Sequence, residues 1–180
     1  MKSIFAVCGS RRNGSFNQAL LDQAIGLIEA NDNVSVDLVA AADLGFPLFE
    51  EDLESADGIP AGAKKLHERM AACDGFVVAT PEYNGGYTPL LKNTIDWVSR
   101  VDPTVFGGRY VGILTASPGG GGGARAAKQT ADLFAGVRSK VHAPTFSLPS
   151  AHEALTPAPV SGLSEWVTGY LDGLVDDNSE

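Results

Sequence analysis

The feature of this sequence that most restricts its fold is a strict alternation of short apolar runs with periods of helical spacing. The apolar runs, each a candidate strand, lie at residues 3–8, 34–39, 75–80, 110–116 and 141–148. The helical periods lie at 16–28, 63–73, 91–98, 126–137 and 163–174. Runs one, three and four are apolar almost throughout, as expected of strands covered on both faces. The alternation therefore predicts an α/β fold, a three-layer α/β/α sandwich around a five-stranded parallel sheet.

The composition restricts the partners and the location. The 180 residues suit a single domain, 1–180, and a content of 44% hydrophobic and 19% charged residues is that of an ordinary globular protein. The net charge of −9 argues against nucleic acid or an anionic membrane as a partner, because either would repel the chain on average. No apolar run approaches about eighteen residues and the first residues lack a secretory cleavage pattern, so we expect a cytoplasmic protein. The acidic tail at 176–180 is expected to be a solvated terminus.

The two cysteines give no sign of a metal centre or a redox pair. Cys8 and Cys73 are isolated in the sequence and lack the spacing of metal ligands. Free cysteines are usually buried, so we interpret both as small core residues and expect no metal.

Folds of this class bind ligands at the carboxyl ends of their strands, which directs attention to the loops after strands one, three and four. The first of these, CGSRRNGSFN at 8–17, leads straight into a helix. A helix N-terminus carries unpaired N–H groups and a partial positive charge, so it favours a bound phosphate. The loop combines glycines for close approach, neutral donors and two arginines. These residues are Gly9, Ser10, Arg11, Arg12, Gly14, Ser15 and Asn17.

An alternative interpretation of the first loop needs no ligand. Ser15 is then a helix N-cap, Gln18 completes a capping box, and the arginines are exposed loop residues. Capping alone requires one hydroxyl and no arginine, so we favour the phosphate site. The glycine spacing matches neither the dinucleotide-binding fingerprint nor the P-loop, which leaves a site of the mononucleotide type.

The second loop, PEYNGGY at 81–87, follows strand three and precedes a helix capped by Thr88 with Pro89 in its first turn. Gly85 and Gly86 would leave the N–H groups of Glu82, Tyr83 and Asn84 free to face a ligand. Two tyrosines beside polar backbone suit a heteroaromatic ring. The alternative is a Pro/Gly turn closed by an aromatic side chain.

The third loop follows strand four and contains five consecutive glycines, Gly119 to Gly123. Such a run is costly in unfolded-chain entropy, which indicates that the backbone itself is needed, with Ser117 adding a hydroxyl. A flexible glycine linker is the alternative, although linkers are unusual between a buried strand and a well-patterned helix. A phosphate site, an aromatic slot and a glycine-rich loop at one sheet edge together indicate flavin mononucleotide.

These stretches also resemble a known family. GSRRNGSFNQAL is similar to the pattern G-S-x-R-x-x-S-x-N-x-x-L, and PEYNGGYTPLLKNTIDWVSR to P-E-Y-N-x-x-x-x-x-x-L-K-N-x-I-D-x-x-S-R. Both patterns occur in the NADPH-dependent FMN reductases, which include soluble quinone, azo-dye and chromate reductases. The resemblance spans about residues 3–146 and implies a flavodoxin-like sheet of order 2-1-3-4-5.

The resemblance also implies which residues bind FMN. Ser10, Arg12, Ser15 and Asn17 would hold the phosphate, whereas Arg11 falls at a variable position. The loop after strand three would contact the ring and ribityl chain chiefly through its backbone, and the loop after strand four would lie near the pyrimidine end. The full predicted set is Ser10, Arg12, Ser15, Phe16, Asn17, Pro81, Glu82, Tyr83, Asn84, Ser117, Gly119, Gly120 and Gly121.

The implied activity is transfer of a hydride from NADPH or NADH to bound FMN and on to a small-molecule electron acceptor in a ping-pong cycle. The flavin carries the chemistry, so no catalytic side chain is predicted, and backbone N–H groups would stabilise negative charge on the reduced ring. His67, His142 and His152 fall outside the three loops and are interpreted as structural or exposed. The acceptor could be a quinone, an azo compound, a metal oxyanion or free flavin. Arg100, Arg109 and Arg125 are equal candidates for contact with an NADPH 2′-phosphate.

Two other classes of protein remain open. A flavodoxin-type electron carrier would share the fold, the FMN and the acidic charge, but its phosphate loop is normally rich in threonine and lacks arginine. A regulatory or interaction module on the same scaffold would bind no flavin. Family members are usually homodimers or homotetramers, and the helix bearing Ile95, Trp97 and Val98 is a candidate interface, although Trp97 could equally be a core residue.

Overall fold

The computed structural model describes residues 1–176, and the acidic tail interpreted above as a solvated terminus lies outside them apart from the helical backbone of Asp176. The strands are β1 Lys2–Cys8, β2 Val34–Val39, β3 Gly75–Ala79, β4 Tyr110–Ala116, β5 Lys140–Val141 and β6 Phe146–Leu148. The helices are α1 Phe16–Glu29, α2 Glu51–Asp57, α3 Ala61–Ala71, α4 Pro89–Val101, α5 Ala124–Gly136, α6 Ala151–Ala154 and α7 Leu163–Asp176. Each of these helices is too short or too polar to cross a membrane.

The strands form one parallel sheet in the order β2-β1-β3-β4-β5, with β6 also paired to β4. This confirms the predicted flavodoxin-like order. Because β1 and β3 are parallel, the loops that follow these two strands open at the same edge, and the reversal of the sheet order between them marks this edge as a ligand-binding crevice. In this register Cys8, the last residue of β1, lies opposite Ala79, the last residue of β3.

The fifth predicted strand, 141–148, is divided in the structure. Lys140 pairs with Tyr110 and Phe146 pairs with Leu114, so β5 and β6 follow β4 at different points along its length. Between them lies Pro144, which has no N–H to donate to a sheet ladder. The prediction of one continuous strand was therefore wrong, although both halves add to the predicted edge of the sheet.

Two helices, α2 and α6, were not predicted. Helix α2 has no buried residue, so its sequence carries no apolar period, although three acidic residues in its first turn favour a helix N-terminus. Helix α6 is a single turn of four residues, too short to show any period.

The core lies on both faces of the sheet. Along β1, Ile4, Ala6 and Cys8 join the cluster under α1 and α7, whereas Phe5 and Val7 join the cluster under α3, α4 and α5. Successive side chains of a strand point to opposite faces, so burial of both faces explains why the run is continuously apolar. Cys8 and the second cysteine are both buried as free thiols, one in each cluster, which confirms their interpretation as core residues.

The proposed interface on α4 is not an exposed surface. Ile95, Trp97 and Val98 are all buried within this chain, and Trp97 is fully so. The indole Nε1 of Trp97 donates a hydrogen bond of 2.7 Å to the carbonyl of Pro47, which fastens the segment before α2 to this helix. The alternative that Trp97 is a core residue is therefore confirmed, and an interface through other side chains of this helix stays a prediction.

Candidate functional site

The three loops singled out in the sequence converge at the carboxyl edge of the sheet and enclose a cavity of about 150 Å³, the inner cavity. Its lining residues are Ser10, Arg12, Ser15, Phe16, Asn17, Pro81, Glu82, Tyr83, Ala116, Ser117 and Pro118. Every predicted residue of the first loop is thus present, with three residues of the second loop and Ser117 of the third. Ala116 and Pro118 were not predicted, since apolar residues flanking a loop carry no chemical signal of their own.

A second cavity of about 420 Å³, the outer cavity, adjoins the first and shares Glu82, Ser117 and Pro118 with it. The rest of its lining comes from the third loop and the start of α5, namely Gly119, Gly121, Gly123, Ala124 and Arg125. Two predicted residues, Asn84 and Gly120, line neither cavity. The two cavities form one cleft with an inner end at the first loop and an outer end at α5.

The N-terminus of α1 opens on the inner cavity. Ser15 is the N-cap, and its Oγ accepts a hydrogen bond of 3.3 Å from the N–H of Gln18. The Gln18 side chain instead donates to Asp22 at 2.7 Å, so the reciprocal half of a capping box is not formed. Capping uses only a lone pair of the Ser15 hydroxyl, so its proton can be donated either to the neighbouring Cys8 sulfur or to a ligand.

The side chains of the two arginines of the first loop point in different directions and have different roles. Arg12 lines the inner cavity, lies over the ring of Phe16 at 5.0 Å from the centroid, and donates to the carbonyl of Gly14 at 2.6 Å. Arg11 turns away and donates to the carbonyls of Ala41 and Ala42 at 3.1 and 3.0 Å. Arg11 therefore anchors the segment after β2, and Arg12 is the arginine that faces the cavity.

Asn17 joins the first loop to the third. Its Nδ2 donates to the carbonyl of Ala116 at 2.9 Å, and the N–H of Ala116 donates to its Oδ1 at 2.8 Å. The side chain is almost completely buried, and the two residues are 99 positions apart in sequence. This link holds the carboxyl end of β4 against the N-terminus of α1, a structural role that the sequence did not reveal.

The second loop is a tight hairpin turn. Tyr83 N–H donates to the carbonyl of Gly86 at 2.9 Å, and the N–H of Gly86 donates back to that of Tyr83 at 3.0 Å. Asn84 and Gly85 have φ values of 52° and 88°, as a turn of the primed type requires. The expectation that the Tyr83 N–H is free for a ligand was therefore wrong, because the turn itself uses that donor. The Tyr83 side chain is 52% exposed at the edge of the inner cavity.

Helix α4 begins as predicted, with Thr88 as N-cap and Pro89 in the first turn. The Thr88 hydroxyl accepts from the N–H of Leu91 at 3.2 Å and donates to the carbonyl of Gly9 at 2.8 Å. A Cβ on Gly9 would lie 2.9 Å from the same hydroxyl oxygen. Gly9 is thus explained by close packing against α4 rather than by contact with a ligand.

The five glycines of the third loop divide into two groups. Gly122 and Gly123 have φ values of 60° and 87°, and a Cβ at either would lie within 3 Å of atoms of Pro149 or Thr115. Gly120 and Gly121 have no atom within 4 Å of a Cβ position, and at Gly119 the nearest atom is 3.9 Å away. Two glycines are thus needed by the fold, and the other three leave an open backbone surface, two of them in the outer cavity.

The remaining reactive side chains lie away from the cleft lining. Burial raises the pKa of Cys8 to about 11, so this thiol stays protonated although it is the first residue of the first loop. His142 is buried with its Nδ1 2.9 Å from the Tyr110 hydroxyl, and burial lowers its pKa. No group of three or more His, Cys, Asp or Glu side chains within residues 1–176 is arranged to hold a metal ion.

Comparison with known proteins assigns the family. A model of the NADPH-dependent FMN reductases matches residues 2–153. The chain belongs to this family. An NAD(P)H-dependent FMN reductase of Pseudomonas aeruginosa is 41% identical over 68% of this chain and 64% of that protein. A quinone reductase of Escherichia coli K12 is 38% identical over 68% of this chain and 63% of that protein.

The matched region spans less than two thirds of the length of these curated relatives. The solved structure of FerB, a flavoenzyme NAD(P)H:(acceptor) oxidoreductase from Paracoccus denitrificans, superposes with a TM-score of 0.84. That alignment covers 98% of this chain and 99% of FerB at 23% identity, which supports the fold alone.

Proposed function

We propose that the chain is an FMN-dependent NAD(P)H oxidoreductase that reduces a quinone-like acceptor. The observation that carries this proposal is the convergence of a helix N-terminus, Arg12, the hairpin turn and the glycine-rich loop around a single cleft. Family membership and the names of the relatives support it further.

The residues around the inner cavity fit the phosphate of FMN. The first N–H groups of α1 have no intrahelical partner, and Ser10 and Ser15 add hydroxyls at the same end. Arg12 supplies a local positive charge for the phosphate, which a chain of net charge −9 would otherwise repel. The Asn17 amide has one Nδ2 hydrogen beyond the pair of bonds it makes to Ala116. This donor set matches a dianionic ester, and Glu82 contributes the carboxylate in the lining of the inner cavity.

The remaining lining fits a flavin ring. Pro81 and the Tyr83 side chain provide apolar surface, while the open backbone of Gly119 and Gly121 provides polar groups without side chains in the way. Bound FMN would supply the hydride chemistry, accepting hydride from NADPH or NADH and passing it on in a ping-pong cycle. The chain's own task is to orient the ring and to place backbone dipoles where negative charge develops.

We propose further that the acceptor is a small molecule such as a quinone, an azo compound, a metal oxyanion or free flavin. The breadth of this range rests on the outer cavity, whose larger volume of about 420 Å³ would leave room beside a bound cofactor. A panel of these acceptors, assayed with one donor, would rank them.

The first experiment measures FMN binding and turnover together. The purified protein should take up FMN, and it should oxidise NADPH or NADH steadily when a quinone is added. Arg12→Ala should weaken FMN affinity by about tenfold to a hundredfold, the value of a charge-assisted hydrogen bond to phosphate. Lys128→Ala is the matched control, because it removes one positive charge from an exposed position outside both cavities.

The same experiment separates the other classes of protein. FMN uptake without oxidation of either nucleotide would support an electron carrier, and absence of FMN uptake would support a flavin-free module. Equal FMN affinities for the wild type and Arg12→Ala would refute the assigned phosphate site.

We also propose that the protein acts in the cytoplasm, where nicotinamide donors are available, as a homodimer or homotetramer. Membership of a family whose proteins are usually dimers or tetramers supports the oligomer. Light scattering coupled to gel filtration would give the oligomeric state.

A further inference from the structure

The outer cavity holds one feature that FMN binding does not explain, the Arg125 side chain. Arg125 lies in the first turn of α5 and lines the outer cavity but not the inner one. Its side chain is 78% exposed, and it is the cation in that lining, where Glu82 is the carboxylate. An arginine here faces whatever enters the cleft beside the cofactor.

The structure separates Arg125 from the other two arginines that the sequence left as equal candidates. Arg100 is bonded to the carboxylate of Glu54 at 3.0 and 2.9 Å, and Arg109 donates to the carbonyl of Ala71 at 3.2 Å. Neither residue lines the inner or the outer cavity. Of the three, Arg125 alone has access to the cleft.

The guanidinium of Arg125 reaches from α5 to the second loop and contacts Glu82 there. Its Nε and Nη2 donate to Oε1 of Glu82 at 3.0 and 2.7 Å. The hairpin packs on the same group, since a Cβ at Gly85 would lie 3.6 Å from its Cζ. Within residues 1–176 the Nη1 group of Arg125 has no hydrogen-bond partner, so its two donors remain for a ligand.

We propose that Arg125 binds a phosphate group of the nicotinamide donor in the outer cavity. This inference rests on the proposed function. A guanidinium is suited to phosphate because it presents several N–H donors in a fixed plane. It also neutralises Glu82, whose carboxylate would otherwise repel a dinucleotide at the entrance to an acidic protein.

The test uses FMN-loaded protein and the two donors separately. Stopped-flow reduction of the bound flavin gives the dissociation constant of each donor, and calorimetry with NADP⁺ and NAD⁺ gives a binding measurement without turnover. Arg125→Ala should weaken the binding of the nucleotide whose phosphate Arg125 contacts by about tenfold or more, as loss of a charge-assisted bond to phosphate predicts. Arg125→Lys should restore part of the affinity. Lys128→Ala, on the same helix, removes the same charge outside both cavities.

The pattern of losses identifies the phosphate. Weaker binding of NADPH and NADP⁺ alone supports contact with the 2′-phosphate, and an equal loss for both pairs supports contact with the pyrophosphate. Unchanged nucleotide binding in Arg125→Ala, or an equal loss in Lys128→Ala, would overturn the inference. A tenfold loss of FMN affinity in Arg125→Ala would also overturn it, by assigning the side chain to the cofactor. Absence of FMN binding or reduction in the wild type is a different result, since it would refute the proposed function itself.

Discussion

The link between Asn17 and Ala116 leads to the most informative prediction. Replacing Asn17 by alanine removes both hydrogen bonds and leaves the N–H and the carbonyl of Ala116 without their partner. A buried polar group left unpaired costs about 1–3 kcal/mol, and Ala116 is itself buried at the end of β4. Because water in the adjoining cavity can partly replace the lost partner, we expect a loss of about 2–4 kcal/mol in the free energy of unfolding.

The assay is urea unfolding of the FMN-free protein, followed by the fluorescence of the two buried tryptophans, Trp97 and Trp166. Gln18→Ala is the matched control, because it changes the next residue of the same helical turn and removes only a partly exposed side-chain contact with Asp22. That control should lose less than about 1 kcal/mol. FMN affinity should fall in Asn17→Ala as well, since the first and third loops would no longer be held together.

The variant Asn17→Asp tests the one hydrogen bond that the Asn17 Nδ2 donates to the Ala116 carbonyl. The variant keeps the oxygen that accepts from the Ala116 N–H but places a second oxygen against the Ala116 carbonyl. That repulsion raises the pKa of the new carboxyl above its unfolded value, so its protonated form, which can donate, is favoured in the folded state. The stability deficit relative to wild type should therefore shrink as the pH falls towards about 4, whereas the deficit of Asn17→Ala should stay constant. A loss below about 0.5 kcal/mol in Asn17→Ala, or a pH-independent deficit in Asn17→Asp, would refute the reasoning.

Other predictions concern titration and the glycine run. Burial lowers the pKa of His142, so as the pH falls this histidine takes up a proton in the unfolded chain before it does so in the folded protein. Stability should fall below about pH 6.5 by up to about 1.4 kcal/mol per pH unit, and urea titrations of wild type and His142→Gln should differ there. Burial raises the pKa of Cys8 from 9.0 to about 11, so stability should fall as the pH rises between these values. Cys8→Ala should reduce that fall without abolishing it, because burial also raises the pKa values of Cys73 and Tyr170. Gly122→Ala should cost about 1–3 kcal/mol in thermal unfolding, whereas Gly120→Ala, in open space, should change stability by less than about 1 kcal/mol.

Much of the first loop's role could be predicted because its chemistry is local. An N-cap at Ser15 requires only a hydroxyl before an apolar helical period, and the structure has that cap. The same holds for Thr88 and Pro89 at the start of α4. The local chemistry of the loop did not distinguish the two arginines, and only the family resemblance did, since the direction of Arg11 depends on carbonyls at Ala41 and Ala42, some 30 residues away.

Errors arose where a residue's partner lies on another element. The Tyr83 N–H was assigned to a ligand because the closing bond to Gly86 depends on a turn geometry that glycine permits but does not require. Trp97 was left open between a partner and the core, because it lies on a helix whose apolar stripe could face either, and the position of Pro47 decides between them. The division of the strand at 141–148 was a different case, because Pro144, which cannot donate to a sheet ladder, was visible in the sequence.

The sequence by itself determined the layers and the edge at which the loops meet, and the sheet order was implied by the family resemblance. The layers and the edge follow from periodicity and from the handedness of crossovers, which are properties of short stretches of chain. Only the tertiary structure decided which hydrogen-bond donors remain free to bind a ligand. Asn17 and Ala116, or Arg125 and Glu82, are distant in sequence and meet only because parallel strands end at the same edge. A hydrogen bond is short and directional, so its existence depends on an approach of a few tenths of an ångström that no sequence pattern records.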